Sequence, residues 1–385
     1  MANLASIAEV LKRAADAGDV PGVAAAVATA DGPVFEAAFG KRDLATGAPI
    51  APDTVVRIAS MTKAITGACA MQLVEQGKLD LDGPIGRVLP ELAAINVFEG
   101  FGADGKPRLR PPKRPVTLRH LLTHTSGHVY DTWNGDSGVY REQAGLPPLD
   151  TGLNASLSTP LFFDPGERWE YGIGIDWAGK AVEAVSGLKL ADYMKRNLYD
   201  PLGMPDTGFR INDEQTKRLA QIYLRTPEGL KPFERNQPKN PEFDAGGGGL
   251  YSTVRDYLKF AQMILHKGTF NGAQVLKPAT VELMSQNAMG ATDVTMLKTF
   301  MPVRSNDVHF TAGMKWGLTF MINPKPKPAG RSAGSLAWAG LMNSYFWIDP
   351  VKKITGVYAT QILPFCDVKS LPLFEAFETA VYQAL

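Results

Sequence analysis

The chain is predicted to be a mixed α/β protein whose one sheet draws strands from both of its ends. Three observations point there. Apolar, β-branched segments suited to strands cluster near the N-terminus and again in the last quarter of the chain. The stretch between them, roughly 80–245, reads as helices separated by long loops punctuated with Gly and Pro. The 385 residues, 45% hydrophobic and 9% aromatic, suffice for two domains or for one domain with a substantial insertion. The expected division is an α/β unit from 1–79 and 246–385, a mainly helical unit from 80–245, and an active site between them.

Met1 to Gly18 reads as an amphipathic helix, with Glu9, Lys12, Arg13 and Asp16 set among Ala and Leu. It lacks the unbroken apolar core of a secretory signal, so a cytoplasmic location is expected. Val23 to Thr29 and Val34 to Phe39 read as strands joined at Asp31-Gly32-Pro33. An extended segment from Val55 to Ala59 then runs into Ser60 and a helix from about Met61 to Gln76, with Gly77 fitting its C-terminal cap.

In the middle, Phe98 to Pro115 is read as a surface excursion, and Leu118 to Thr123 and Trp177 to Val185 as short helices. Arg225 to Gly249 is a further loop, closing on Gly246 to Gly249, where the backbone can approach something closely. Thr253-x-x-Asp256 caps a helix reaching about His266. Strands at Met314 to Ile322, Ser344 to Ile348 and Ile354 to Thr360 and a helix from Leu371 to Leu385 complete the chain.

Charge and cysteine content exclude several functions. Forty basic and 39 acidic residues give a net charge of +1, which offers no field for nucleic acid or anionic lipid. No run of 18 apolar residues exists, so neither a membrane nor a nucleic-acid partner is expected. Cys69 and Cys366 show no metal-type spacing. His120, His124 and His128 are four apart, but Ser126-Gly127 should end the helix before the third, and metal binding is not expected.

Three patterns nominate a nucleophilic serine: Ser60-x-x-Lys63, Ser186-x-x-Lys189, and Gly330-Arg331-Ser332-Ala333-Gly334. The last would need a preceding strand, a following helix and a later histidine. It instead follows the Pro-Lys run 324–328, and the last histidine is His309. Ser186 closes a helix, where the N–H groups point away from it. Ser60 sits where an extended segment meets a helix N-terminus, so unpaired N–H groups and the helix dipole favour negative charge there. Lys63 lies on the same helix face one turn away.

Ser60-Met61-Thr62-Lys63, Tyr171-Gly172-Ile173 and Trp338-Ala339-Gly340 occur in the order and spacing of the serine β-lactamase and penicillin-binding-protein superfamily. Residues 119–127 and 247–252 add supporting signatures, and together the set resembles the class C branch, most closely the family VIII carboxylesterases. The resemblance implies an antiparallel sheet flanked by helices beside a mainly helical domain, and no cofactor. It implies that Ser60 is acylated, that Tyr171 acts with Lys63 as general base and later acid, and that the N–H groups of Ser60 and Leu341 form the oxyanion hole. Two departures stand out: Ile173 replaces an amide, and Trp338 stands where a lysine would help hold a substrate carboxylate.

A lysine brought from about 10.4 to about 7 needs roughly 4 kcal/mol of burial and neighbouring charge. Sharing the proton with a tyrosine that titrates near pH 10 lessens that demand, and which of the two removes the serine proton is left open. Trp338, Ala339 and Gly340, with Tyr130 and Trp133, are the candidate substrate-binding residues. The expected activity is a carboxylesterase acting on small-molecule, short-chain neutral acyl esters. An acyltransferase, a class C-like β-lactamase, a D-amino-acid amidase or a non-enzymatic binding module are the alternatives.

Overall fold

The computed structural model describes residues 4–235, 238 and 241–385. The start of the expected N-terminal helix (1–3) and residues 236, 237, 239 and 240 of the expected loop lie outside the described residues. The helix itself is α1 (Leu4–Asp16), which buries Ile7 and Leu11, one turn apart on one face.

A seven-stranded sheet forms the frame. In chain order its strands are β1 (Gly22–Thr29), β2 (Gly32–Gly40), β3 (Lys315–Trp316), β4 (Met321–Ile322), β5 (Leu336–Gly340), β6 (Ser344–Asp349) and β7 (Ile354–Ala359). Their spatial order is β3-β4-β5-β6-β7-β1-β2, every neighbouring pair antiparallel. β1 pairs with β7 from Ala24 opposite Ala359 to Thr29 opposite Ile354, so the sheet is closed by the two ends of the chain.

Helices cover both faces, which is why β5, β6 and β7 are buried along their whole length instead of alternating. On one face Tyr345, Trp347 and Tyr358 meet Phe374 and Phe377 of the C-terminal helix, Ser370–Ala384, which also packs on α1. On the other, Phe346 meets Tyr257 of the helix Val254–Leu265, whose N-cap Thr253 accepts from the Asp256 N–H as its sequence suggested.

The chain departs from the sequence reading in several places. The middle holds two hairpins besides its helices. Val97–Phe101 pairs with Pro107–Arg110, where a surface excursion was expected, and Ile222–Thr226 pairs with Gly229–Phe233. The second hairpin also takes Ile362–Leu363 as a parallel neighbour, fastening the middle of the chain to its end. The segment Met314–Ile322 is not one strand: it turns at Gly317 to Phe320 and pairs with itself. Gly32 and Pro33 belong to β2, so the first turn is shorter than Asp31-Gly32-Pro33 implied. Among the described residues, no helix is long and apolar enough to cross a membrane.

Candidate active site

Val56–Arg57 pairs with Tyr251–Ser252 and delivers the chain to a 3₁₀ turn, Ala59–Met61, that carries Ser60. Ala59 holds φ at +43°, a left-handed conformation that a residue with a Cβ adopts at a cost. The turn runs directly into the helix Thr62–Glu75, hereafter α2, which is buried on all sides over its first twelve residues. Ser60 is thus at a helix N-terminus, and Lys63 is in its first turn.

The first turn of α2 is stitched to the glycine run. Thr66 Oγ1 donates to the Gly246 carbonyl at 2.7 Å, Lys63 Nζ to the Gly247 carbonyl at 2.6 Å, and the Leu250 N–H to Thr62 Oγ1 at 3.2 Å. Gly247 must be glycine: a Cβ there would come within 2.4 Å of Asp176 Oδ2. Its N–H donates to Asp176 Oδ1 at 2.9 Å. One peptide unit on each side of Gly247 therefore joins a buried carboxylate to the lysine.

Lys63 Nζ is 3.0 Å from Ser60 Oγ and 3.0 Å from the Tyr130 hydroxyl, and it lies 4.6 Å from the Tyr171 ring centre. The two tyrosines are brought together because the Tyr130 N–H donates to the Tyr171 carbonyl at 3.1 Å. Gly172 permits that approach, since a Cβ on it would sit 2.0 Å from the His128 carbonyl oxygen. The Tyr171 hydroxyl accepts from Trp338 Nε1 at 2.9 Å.

Burial separates the proton affinities that were expected to match. It lowers the Lys63 ammonium to about 7, against an opposing pull from Asp176. The same burial raises both the Tyr171 and the Tyr130 phenol above their ordinary value. Lys63 is then the group able to accept a proton near neutrality, and both tyrosines stay neutral. Asp176, buried beside them with its own pKa raised by desolvation, was not singled out from the sequence. An isolated Asp in a helix carries no signal, because this one acts through the backbone of a residue 71 positions away.

β5 brings the third motif to the same place. A Cβ on Gly340 would lie 2.3 Å from the Ile58 carbonyl oxygen, so the end of the strand presses on the turn before Ser60. Leu341, the next residue, lines a cavity of about 450 Å³ together with Ser60, Tyr130 and Trp133. Trp338, Ala339 and Gly340 do not line it. Trp338 is buried, with its ring 5.0 Å from Tyr171 and 4.6 Å from Trp316, and its indole N–H is spent on Tyr171. Trp338 thus holds the tyrosine and Gly340 the turn, beside the cavity wall that Leu341 lines.

The rivals of Ser60 do not meet partners. Ser186 Oγ accepts from the Leu188 N–H, while Lys189 Nζ reaches the Glu242 carbonyl. Ser332 lies in a turn whose N–H donates to Asp349. The three histidines diverge because their helix stops at Leu122. His120 closes a capping box with Thr117, His128 bonds Ser126 Oγ at 3.0 Å, and His124 packs 4.6 Å from the Tyr171 ring. Both cysteines are buried and free.

The sequence model of the β-lactamase family matches residues 7–373. Lovastatin esterase of Penicillium rubens is 32% identical over 392 residues, covering 96% of this chain and 96% of that protein. Monacolin J acid methylbutanoyltransferase of Aspergillus terreus is 32% identical over 348 residues, covering 87% of this chain and 83% of that protein. Among solved structures, a mutant of simvastatin synthase LovD from Aspergillus terreus superposes with a TM-score of 0.86 at 30% identity, covering 98% of this chain and 94% of that one.

Proposed function

The chain belongs to the β-lactamase family, and from that membership we propose that it is a serine carboxylesterase that forms an acyl-enzyme on Ser60 from short, uncharged acyl esters. The observation that carries this reading is the three-way contact of Ser60, Lys63 and the tyrosine pair inside a closed, neutral-amine environment. Neutral Lys63 takes the Ser60 proton as the oxygen attacks the carbonyl. The Ser60 and Leu341 N–H groups receive the developing oxyanion. Lys63 then hands that proton on, and Tyr171 relays it to the departing alcohol, so that neither group is left changed in charge. Water then attacks the acyl-enzyme with the same groups in reverse.

The esterase and acyltransferase among its relatives favour a second reading, in which an alcohol replaces water as acceptor. A 450 Å³ cavity beside the serine accommodates such an acceptor. Hydrolysis of p-nitrophenyl butyrate, and its acyl transfer to added alcohols, separates the two. Ser60→Ala is expected to lose at least about 10³-fold in kcat/KM. Undiminished turnover in that variant, or fluorophosphonate labelling of Ser332 instead, would refute the assignment.

A further inference from the structure

His124 grips the backbone on both sides of Tyr171. Its carbonyl accepts from the Glu170 N–H at 3.0 Å, and its ring Nδ1 accepts from the Gly172 N–H at 3.4 Å. It does so at φ +57°, a left-handed conformation that a residue with a Cβ adopts at a cost, just after the helix Leu118–Leu122 ends. The ring is also one side of a closed circuit of four. His124 lies 4.6 Å from Tyr171 and 5.1 Å from Trp316, Trp316 lies 4.6 Å from Trp338, and Trp338 lies 5.0 Å from Tyr171. A backbone N–H can only donate, so the imidazole accepts at Nδ1 and carries its proton on Nε2. Among the described residues Nε2 is buried without a hydrogen-bond partner, and the ring meets Trp169 and Trp316 edge to face. An N–H can rest on an indole face, whereas a bare nitrogen there would be a stranded acceptor.

We propose that His124, as the neutral Nε2–H tautomer, is the positioning residue for Tyr171: it fixes the peptide that carries the phenol, as Trp338 fixes the hydroxyl. Burial, and then the positive charge of Lys63, hold the imidazole's pKa well below its ordinary value, so the ring stays neutral while Lys63 works. The inference rests on the acyl-enzyme reading for the task it gives Tyr171, the relay of a proton to the departing alcohol. The tautomer and the backbone hold do not depend on that reading. A relay out of place by about 1 Å can cost about 100-fold, but only where the departing group needs the proton. An alkoxide does not leave without one, whereas p-nitrophenolate does.

Nitrogen-15 NMR of the full chain, labelled at its five histidines, reads the tautomer near neutral pH, with His124 assigned by its loss in His124→Asn. A proton on Nε2 is expected. A proton on Nδ1 would overturn the inference, because the Gly172 N–H would then face a donor. Kinetics read the role. Benzyl butyrate and p-nitrophenyl butyrate form the same acyl-enzyme, so the ratio of their kcat/KM values isolates the leaving group. His124→Leu, which has no acceptor, should lower the benzyl ester at least about tenfold more than the p-nitrophenyl ester. His124→Asn keeps an acceptor and tolerates the left-handed φ, and should bring the ratio to within about threefold of the wild type. An equal fall for both esters in His124→Leu, or no recovery in His124→Asn, would mark a merely structural residue and overturn the positioning role. The tautomer test stands whether or not His124→Leu folds. Wild-type protein that cleaves neither ester, but shows the Nε2 proton, would remove the esterase reading and leave the hold on Tyr171 standing.

Discussion

Lys63 is fully enclosed, yet the proposed mechanism has it gain and lose a proton in every turnover. Below about 7 it holds that proton and cannot accept another; above about 7 it is a free amine. kcat/KM should therefore rise with pH to a plateau above about 7, and a pH–rate profile flat down to pH 5 would contradict the assignment. Asp176 pulls the other way, favouring the charged lysine. Asp176→Asn keeps an acceptor for the Gly247 N–H but removes the charge, so the acidic limb should move to lower pH; an unmoved limb would show that the carboxylate does not tune the amine. Trp338 sets a polarity at Tyr171. An indole can only donate, so the phenol oxygen accepts there and its single hydrogen is left for the Ser60 side. Trp338→Phe lets that hydroxyl rotate and is expected to lower kcat about tenfold with KM little changed. Of these residues Ser60, Lys63 and Tyr171 were legible in the sequence because their motifs are local. Asp176 and the inward turn of Trp338 were not, since each depends on a partner that only the tertiary fold brings near.

At the scale of elements, the site is assembled by backbone approaches that glycine permits. β5 reaches Ser60 because Gly340 lets the Ile58 carbonyl come close. Gly340→Ala must push the strand away from the nucleophile's turn. Overpacking of this kind costs about 1–3 kcal/mol, and it should depress kcat more than KM because Leu341 moves with the strand. Steady-state kinetics and a urea denaturation curve on the same variant check both halves. The glycine run 246–249 announced a close approach in the sequence, and the structure gives its reason in Thr66 and Lys63. Six helices were legible from caps and spacing, but Gly135–Gln143 and Pro278–Ser285 were not singled out. The hairpin 97–110 was not, because its Gly, Pro, Arg and Lys residues are those of a loop, and the pairing is held instead by such contacts as Arg110 on Asp164 and Glu99.

At the scale of the molecule, the Pro-rich strap 324–334 is tied to the C-terminal helix by a buried pair, Arg331 Nε to Glu378 Oε1 at 2.7 Å and Nη2 to Oε2 at 2.9 Å. Arg331→Met strands the carboxylate with only Lys327, 3.6 Å away, and should cost about 3 kcal/mol or more. The double replacement Arg331→Met/Glu378→Leu should regain most of it, as read from urea midpoints. The sheet was foreseen as a union of both ends, and its pairing of β1 with β7 joins residues more than 300 apart. That union sets a schedule for the living chain. Ser60, Lys63 and both tyrosines leave the ribosome long before Leu341, so a growing chain carries the proposed nucleophile without the strand that answers it. Until β7 docks on β1 there is no frame to press Gly340 against the turn. Ser60 and Leu341 can meet only after the strands of the last quarter of the sequence have been made.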